Sequence, residues 1–147
     1  MDLGVGERGR MMIPKFRVWD KENKIMWNIE RWNIEDEYFN LIEPNKSVID
    51  LNAKRTWRKQ SDVILMQSTG LFDKNGKEIF EGDIVVNQYG NVGYIAYLQQ
   101  EAGFVVVMKK SDYRLGHRNT GESYEVTTNH EIIGNIFENS GLLERVV

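Results

Sequence analysis

Cysteine is absent from all 147 residues of the chain. This absence excludes disulfide bonds and thiolate chemistry, and it fits a protein that works in the reducing cytoplasm. Long apolar runs are absent too, because none approaches the roughly 20 residues that a membrane-spanning helix needs. The sequence also lacks a signal-peptide pattern. We therefore expect a cytoplasmic protein that does not enter a membrane.

Motifs of known reaction centres are also missing. The sequence has no nucleophile elbow, no phosphate-binding glycine loop and no dinucleotide-binding glycine pattern. Ser68, Thr69 and Ser123 are possible nucleophiles, but the sequence places no base beside them. His117 and His130 lie in polar stretches without the i, i+4 spacing of a helical metal site, so we expect both on the surface. The sequence predicts no enzyme and no catalytic residue.

Four acidic residues in the middle of the chain form a candidate metal site: Asp73, Glu78, Glu81 and Asp83. The stretch from Asp73 to Gly76 is superficially similar to a calcium-binding loop. However, its glycine comes too early, and no glutamate occupies the closing position of such a loop. Turn geometry explains these residues without a metal. We therefore expect no bound metal, no cofactor and no small-molecule ligand.

What the sequence does contain is a dense block of strand and turn signals at 65–86. Asp73 and Asn75 tolerate turn geometry, and Gly76 can hold a positive φ at no steric cost. Apolar pairs flank this turn, which is the pattern of a β-hairpin. A second turn around Gly82 precedes a β-branched run. Two turns so close together predict a compact antiparallel meander.

Short apolar stretches in the second half of the chain predict strands that are covered on both sides. Gly93 predicts a bulge or a close backbone approach within its strand, and Gly134 predicts the same in the last strand. Short antiparallel strands joined by tight turns predict a mainly β protein that forms a small SH3-like barrel or a coiled sheet. The predicted strands are 63–66, 84–86, 92–98, 104–108 and 132–137.

The start of the chain predicts a further hairpin, because apolar residues at 16–19 and 25–27 flank a polar turn. We expect Trp19 and Trp27 to face each other across this hairpin. The apolar positions between Trp27 and Tyr38 fit neither the strand nor the helix period. A short helix is therefore an alternative for that stretch.

Two more strands are predicted at 38–42 and 48–51, with Pro44 between them. The polar stretch 52–62 then interrupts the apolar pattern, which places a domain boundary there. The glycine-rich start of the chain predicts a disordered leader, with Met11 or Met12 as an alternative natural start. The predicted organisation is a leader at 1–11, an N-terminal β-rich subdomain at 12–60, and a barrel-like subdomain at 61–147 that ends in a short helix at 139–147, capped by Asn139 or Ser140.

Three blocks of the sequence resemble the YopX family of small phage and prophage proteins. They are 13–21 (IPKFRVWDK), the central block as far as 85, and 131–139 (EIIGNIFEN), which together bracket most of the chain. The resemblance implies a β-rich intracellular protein that is encoded by a phage or prophage and acts in the cytoplasm of the bacterial host. It carries over no catalytic residue, because the family has none assigned.

Two basic segments that contain an aromatic residue give one functional hypothesis. Single-stranded nucleic acid is bound by positive charges that neutralise its phosphates and by rings that stack on its bases. The alternative is a solvated loop, which the formal net charge of −3 favours. The candidate contacts are Lys54, Arg55, Trp57, Arg58 and Lys59 in segment 54–59, and Lys109, Lys110, Tyr113, Arg114 and Arg118 in segment 109–118.

Aromatic residues are abundant, with four tryptophans, six tyrosines and six phenylalanines. Trp32, Tyr38 and Trp57 are hard to place in a core, and aromatic side chains exposed together form a contact surface for another protein or a second copy. We therefore predict a non-enzymatic protein-interaction module that self-associates into a homo-oligomer. Nucleic-acid binding through the two basic segments is the alternative.

Overall fold

The computed structural model of the protein describes residues 15–108, 123–126 and 129–144. Their backbone forms eleven strands, two short 3₁₀ helices at Gln60–Asp62 and Gln99–Glu101, and one α-helix. The strands are β1 (Phe16–Asp20), β2 (Ile25–Asn33), β3 (Tyr38–Ile42), β4 (Arg55–Lys59), β5 (Val63–Phe72), β6 (Glu78–Phe80), β7 (Asp83–Val86), β8 (Val92–Leu98), β9 (Gly103–Met108), β10 (Ser123–Glu125) and β11 (Glu131–Asn135), and the helix is α1 (Gly141–Glu144). Within these ranges, no helix has the length and apolar character needed to cross a lipid bilayer.

The strands form two antiparallel sheets. The first sheet has six strands in the order β4-β3-β2-β1-β5-β6, and the second has five in the order β10-β9-β8-β7-β11. The predicted β-rich class with a short C-terminal helix is confirmed. Across the described residues both sheets stay open and no closed barrel forms, so the barrel is not the shape adopted.

The first hairpin, β1 and β2, is confirmed, but its register separates the two tryptophans. Trp27 lies opposite Val18, whereas Trp19 lies opposite Met26. Because neighbouring residues of a strand point to opposite faces, Trp27 enters a buried cluster with Val18. Trp19 stacks instead on Phe137, with 5.4 Å between the ring centroids. The prediction that Trp19 and Trp27 face each other is wrong by one residue of register.

The helical alternative for the stretch after Trp27 is also wrong, because β2 continues to Asn33. The pairing of β2 with β3 shifts by one residue between Ile29 and Arg31, so Glu30 is an extra, bulged residue. A bulge interrupts the strict alternation of side chains along a strand. This interruption explains why the apolar positions of the stretch fit neither period.

The strand predicted at 48–51 is wrong as well. These residues lie in the turns of the loop between β3 and β4, and Val48, Ile49 and Leu51 are exposed there. The strand forms later in the chain, as β4, within the polar stretch that was expected to separate two domains. Charged residues surround its one large apolar side chain, so β4 has no apolar alternation by which the sequence could reveal it.

The buried apolar residues form two clusters. Residue Ile79 belongs to β6 of the first sheet, yet it packs in the cluster of the second sheet, so the β5–β6 hairpin joins the two sheets. Strand β5 also pairs with β1, which lies on the other side of the boundary predicted between residues 60 and 61. The division of the chain into subdomains stays a prediction. The clusters are Val18, Trp27, Phe39, Leu41 and Val63 in the first sheet, and Ile79, Val85, Ile95 and Val106 around the second.

The meander predicted in the central block is confirmed. Strands β5 and β6 pair across the turn that contains Gly76, where φ is +87°, and Gly82 turns the chain again with φ of +90°. Asp73 holds the first turn, because its Oδ1 atom accepts hydrogen bonds from the backbone N–H groups of Asn75 at 2.9 Å and Lys77 at 2.8 Å.

Two further glycine predictions are confirmed. A Cβ atom added to Gly93 would lie 2.6 Å from the carbonyl oxygen of Val107, which is a close backbone approach between β8 and β9. Gly134 follows a register shift in β11, and a Cβ atom there would lie 2.5 Å from the side-chain oxygen of Asn139. That oxygen also accepts a hydrogen bond from the backbone N–H of Asn135 at 3.1 Å. The predicted leader and residues 145–147 lie outside the described residues.

Candidate functional site

Strand β4 divides the predicted basic cluster between two faces of the first sheet. Exposed and half-buried residues alternate along the strand. Arg55, Trp57 and Lys59 point to one face, and Arg58 points to the other. Lys54 precedes the strand, and its backbone N–H donates to the Glu43 side chain at 3.0 Å. The five predicted contacts therefore do not share one surface.

Arg58 is engaged with a buried carboxylate. Its Nε atom lies 2.9 Å from Oδ2 of Asp20, which is fully buried. Asn23 donates to both Asp20 oxygens, from its backbone N–H at 3.2 Å and its side-chain amide at 3.1 Å. Burial alone raises the pKa of Asp20, but the hydrogen bonds from Asn23 and the Arg58 guanidinium outweigh it and hold the pKa below its ordinary value. Arg58 thus connects β4 to the end of β1.

Arg55, Trp57 and Lys59 belong to a surface that spans three strands, which we name the β2–β3–β4 face. Strand register determines which side chains share a face, because directly paired residues point to the same side. The face has three rows, each with one residue from β2, β3 and β4: Asn28, Ile42 and Arg55; Arg31, Asn40 and Trp57; and Asn33, Tyr38 and Lys59.

Side-chain contacts connect the rows of the β2–β3–β4 face. The rings of Tyr38 and Trp57 meet edge to face, with 5.9 Å between centroids, and the Trp57 side chain remains 56% exposed. The Asn33 amide donates to the Asn40 side chain at 3.2 Å. Three asparagines, two aromatic rings and three basic residues thus share one surface, and none of its nine residues is acidic.

Sequence reasoning missed Arg31 and the asparagines of this face, and it named Tyr38 only as an aromatic that is hard to place in a core. The available signal was period-two alternation in β2 and β3, but the bulge at Glu30 hides it in β2. Trp32, which was predicted with Tyr38 and Trp57 as an exposed aromatic, points to the opposite side. It is half-buried and packs on Phe39 at 5.2 Å between ring centroids.

Arg55 fixes the neighbouring loop in place. Its guanidinium donates to the backbone carbonyl oxygens of Val48 at 2.6 Å and Asp50 at 3.0 Å, and it also pairs with Glu30 at 3.2 Å. The loop is further closed by the hydrogen bond from the Asp50 N–H to the Ser47 carbonyl at 2.9 Å. It presents three large aliphatic side chains to solvent: Val48 at 58%, Ile49 at 82% and Leu51 at 92% exposure.

The second predicted basic segment, with Lys109, Lys110, Tyr113, Arg114 and Arg118, lies outside the described residues. Its part in nucleic-acid or partner contacts stays a prediction. Strands β9 and β10, which precede and follow it in the chain, pair in the second sheet.

Asp73 and Glu81 of the central block accept hydrogen bonds from backbone N–H groups, both in their own turn and in neighbouring strands. Asp73 is 4% exposed, and besides the two N–H groups of its turn it accepts a hydrogen bond from the backbone N–H of Ile132 in β11 at 3.0 Å. Burial raises the pKa of Asp73, but the three backbone N–H groups outweigh burial and lower the pKa below its ordinary value. Glu81 accepts from the backbone N–H of Gln67 at 3.3 Å.

Asp83 forms an ion pair that crosses from the second sheet to the first. Its Oδ1 atom lies 2.8 Å from the Arg17 guanidinium, and both side chains are largely buried. The Arg17 guanidinium also lies over the ring of Phe80, 4.8 Å from its centroid. Burial raises the pKa of the Asp83 carboxyl above its ordinary value, and the neighbouring Arg17 charge offsets this only in part.

A cleft of about 1210 Å³ opens beside this ion pair, lined by β1, β2 and β3 on one side and by β7 and β11 on the other. Two of its lining charges neutralise each other, because Lys15 pairs with Glu78 at 3.3 Å. The lining carries both signs, which gives the cleft no preference for an anion or a cation: Lys15, Arg17, Lys46, Lys77, Glu78, Asp83 and Glu138. No group of three or more His, Cys, Asp or Glu residues in the described part of the chain is arranged to hold a metal ion.

The surface prediction for His130 is wrong, because this residue is only 2% exposed. It sits where the β5–β6 turn meets β11, and its carbonyl oxygen accepts from the Lys74 N–H at 2.9 Å. The hydroxyls of Ser68 and Thr69 are used within the same hairpin, where they donate to the Glu78 carboxylate and the Ile79 carbonyl oxygen. His117 lies outside the described residues.

Comparison with known proteins agrees with the three sequence blocks. The family model described as "YopX protein" matches residues 15–144. Among solved structures, protein EF1440 from Enterococcus faecalis is 28% identical, with a TM-score of 0.54, and the match covers 90% of this chain and 99% of that one. No curated protein matches the sequence. Since the family model spans nearly the whole chain, this protein belongs to the YopX family.

Proposed function

We propose that this YopX protein is a non-enzymatic interaction module that self-associates, as an accessory protein of a phage or prophage in the cytoplasm of its host. One observation supports this most directly: Val48, Ile49 and Leu51 stand exposed on a loop whose backbone is held by Arg55. Contiguous exposed apolar side chains on a monomer are typical of contact sites. The engagement of Asp73, Glu81 and Asp83 in turns and ion pairs supports the non-enzymatic part.

The order of the loop matters for this proposal. A loop that is already held by hydrogen bonds loses little conformational freedom when a partner covers it. Arg55 supplies two of those hydrogen bonds, and Asp50 contributes others through its backbone and its side chain, which accepts from Asn52 at 2.9 Å. The aliphatic side chains are therefore presented in a shape that is ready for contact.

The charges around the loop support a second copy as the partner. Glu43 and Asp50 are balanced there by Lys46 and Lys54. A twofold interface brings the same patch of both copies together, so a patch of one sign would repel itself. A patch with both signs and an apolar centre is compatible with its own copy.

Light scattering coupled to gel filtration tests the proposal. We expect the wild-type mass to exceed that of a monomer at about 100 μM. An interface with a Kd of about 1 μM, which corresponds to a binding free energy of about −8 kcal/mol, is largely occupied at that concentration. The double variant Ile49→Ser, Leu51→Ser should elute as a monomer. Tyr89→Ser, which removes a side chain 77% exposed in the β7–β8 turn, is the matched control and should keep the wild-type mass. A monomeric wild type would reject self-association, and an unchanged mass of the double variant would reject this loop.

A further inference from the structure

We propose that the β2–β3–β4 face binds single-stranded nucleic acid, with bases stacked on Tyr38 and Trp57 and phosphates neutralised by Arg31, Arg55 and Lys59. This site is distinct in chemistry from the aliphatic loop that carries the proposed self-association. Its basis is the strand register, which places these five side chains on one side of three neighbouring strands.

The aromatic pair supplies the stacking surface. Trp57 is 56% exposed and rests edge to face against Tyr38, which holds the indole in place and leaves much of it open. Stacking on an aromatic side chain works for any base, because every base has a π-face. With strands about 5 Å apart and alternate residues about 7 Å apart, the two rows that carry Trp57 and Tyr38 cover roughly 10 by 7 Å, enough for one or two nucleotides, whereas Ile42 in the first row is buried.

The basic side chains supply the charge. Among the described residues, neither Arg31 nor Lys59 has an ion-pair partner, so both are available to phosphates. Arg55 is already engaged with the Glu30 carboxylate and with two carbonyl oxygens of the neighbouring loop, so it contributes less than Arg31 and Lys59. The three rows contain no carboxylate of their own, although the Glu30 carboxylate reaches Arg55 at their edge, whereas the neighbouring loop carries charges of both signs. Charge complementarity therefore favours a polyanion on this face.

The charges around the β2–β3–β4 face determine the path of the bound nucleic acid. The β2–β3 turn carries three acidic residues, Glu35, Asp36 and Glu37, directly after the row that contains Asn33 and Tyr38. The turn repels phosphates from the β2–β3 corner of that row, whereas Lys59 lies at its opposite corner, on β4. The backbone of the nucleic acid must therefore follow β4, from Lys59 towards Arg55, with its bases turned inward over the rings and the asparagine amides.

Single-stranded nucleic acid fits this face better than a duplex does. Stacking on Tyr38 and Trp57 needs bases that are not already paired and stacked within a helix. The face is a sheet surface whose side chains reach outward from three strands, without a protruding helix that could enter the major groove of DNA.

Fluorescence anisotropy with labelled 20-nucleotide DNA and RNA, and with a duplex of the same sequence, tests the proposal on the full chain. We expect binding of the single strands at about 50 mM salt and weaker binding of the duplex. Trp57→Ala should raise the Kd about tenfold without changing the salt dependence, since stacking is uncharged. Lys59→Gln should lower the slope of log Kobs against log salt by about 0.7, the loss of one phosphate contact to a single strand.

Matched controls carry the same changes outside the face. Tyr89→Ala removes an exposed aromatic side chain from the β7–β8 turn, and Lys74→Gln removes an exposed positive charge from the β5–β6 turn. Both should bind as the wild type does. Lys59 is exposed, so Lys59→Gln keeps the test valid even if Trp57→Ala unfolds, which circular dichroism would show. The proposal is overturned if no single strand binds at low salt, if face and control variants bind alike, or if Trp57→Ala loses self-association and nothing else.

Discussion

At the scale of single residues, carboxylates decide where this chain turns. Asp20, Asp73 and Asp83 are each almost fully buried, and each accepts hydrogen bonds from backbone N–H groups of its own turn. Such buried acceptors replace the hydrogen bonds that a turn cannot make within a sheet. The three differ in how well their charge is compensated, and this difference has a measurable consequence.

The first prediction concerns the pH dependence of stability. The pKa values of Asp20 and Asp73 are below the ordinary 3.8 in the folded protein. Their contribution to the free energy of unfolding is therefore complete above about pH 4 and is lost as the pH falls through the folded pKa values. The pKa of Asp83 is raised instead. Its ionisation therefore removes stability as the pH rises from 3.8 towards the folded pKa.

Urea denaturation between pH 3 and pH 6 measures these opposite effects. Asp73→Asn should lose less unfolding free energy on acidification than the wild type, because a stabilising charge is gone at every pH. Asp83→Asn should lose more, because the group that opposes the trend is gone. Parallel profiles for the two variants would contradict the pKa directions of Asp73 and Asp83.

The identity of single residues predicted which of them form turns, but it did not predict which side chains are buried or what they contact. Asp73 and Gly76 were predictable because turn chemistry is local. The burial of His130 was not, since it depends on the β5–β6 turn meeting β11. The contact between Asp73 and Ile132 at this meeting point joins residues 59 positions apart, which no local pattern contains. The same holds for Arg58, whose partner Asp20 lies 38 residues away.

At the scale of elements, close approach between strands limits which residues the second sheet accepts. Gly93 sits in β8 between β7 and β9, paired with Val85 on one side and Met108 on the other. A Cβ atom there would meet the Val107 carbonyl oxygen at 2.6 Å and a methyl carbon of Val106 at 2.8 Å. Both neighbours belong to the β9 strand and cannot move without disturbing the sheet.

The second prediction follows from this contact. Gly93→Ala should destabilise the protein by about 1–3 kcal/mol, the usual cost of an added methyl group in a packed site. Gly103→Ala is the matched control in the same sheet, because its nearest atom would be 3.8 Å away. The control should change stability by no more than about 0.5 kcal/mol. Equal effects of the two substitutions in urea denaturation would contradict the close approach.

Element existence was more predictable than register. The hairpin of β1 and β2 was found from its flanking apolar residues, but Trp19 and Trp27 could not be assigned to faces, because register depends on turn geometry and on the whole sheet. Strand β4 was missed because its partner-free edge lets charged residues occupy most of its positions. The β2–β3–β4 face depends on both, so sequence reasoning reached its β4 members and Tyr38 but not the way in which strand register brings them together.

At the scale of the whole molecule, several contacts among the described residues connect the two sheets. The Arg17–Asp83 pair links β1 to β7, Trp19 stacks on Phe137 after β11, and Asp73 binds the β5–β6 turn to β11. Arg17 is the central member, because its guanidinium also contacts the Phe80 ring and the Glu81 carbonyl oxygen, 3.3 Å away. These contacts should make the two sheets unfold as one unit.

The third prediction tests that coupling. All four tryptophans lie in strands of the first sheet, so tryptophan fluorescence reports that sheet, while far-ultraviolet circular dichroism reports both. In the wild type the two urea transitions should coincide.

Arg17→Ala leaves the Asp83 carboxylate buried without its partner, which should lower the free energy of unfolding by about 3–5 kcal/mol. Because the lost contact lies between the sheets, the two transitions should separate. Replacing both partners, as Arg17→Met with Asp83→Asn, removes the uncompensated charge but keeps an oxygen that can accept from the Phe80 N–H, so it should bring the transitions together again. Transitions that coincide in Arg17→Ala would show that the sheets are coupled through the β5–β6 hairpin instead.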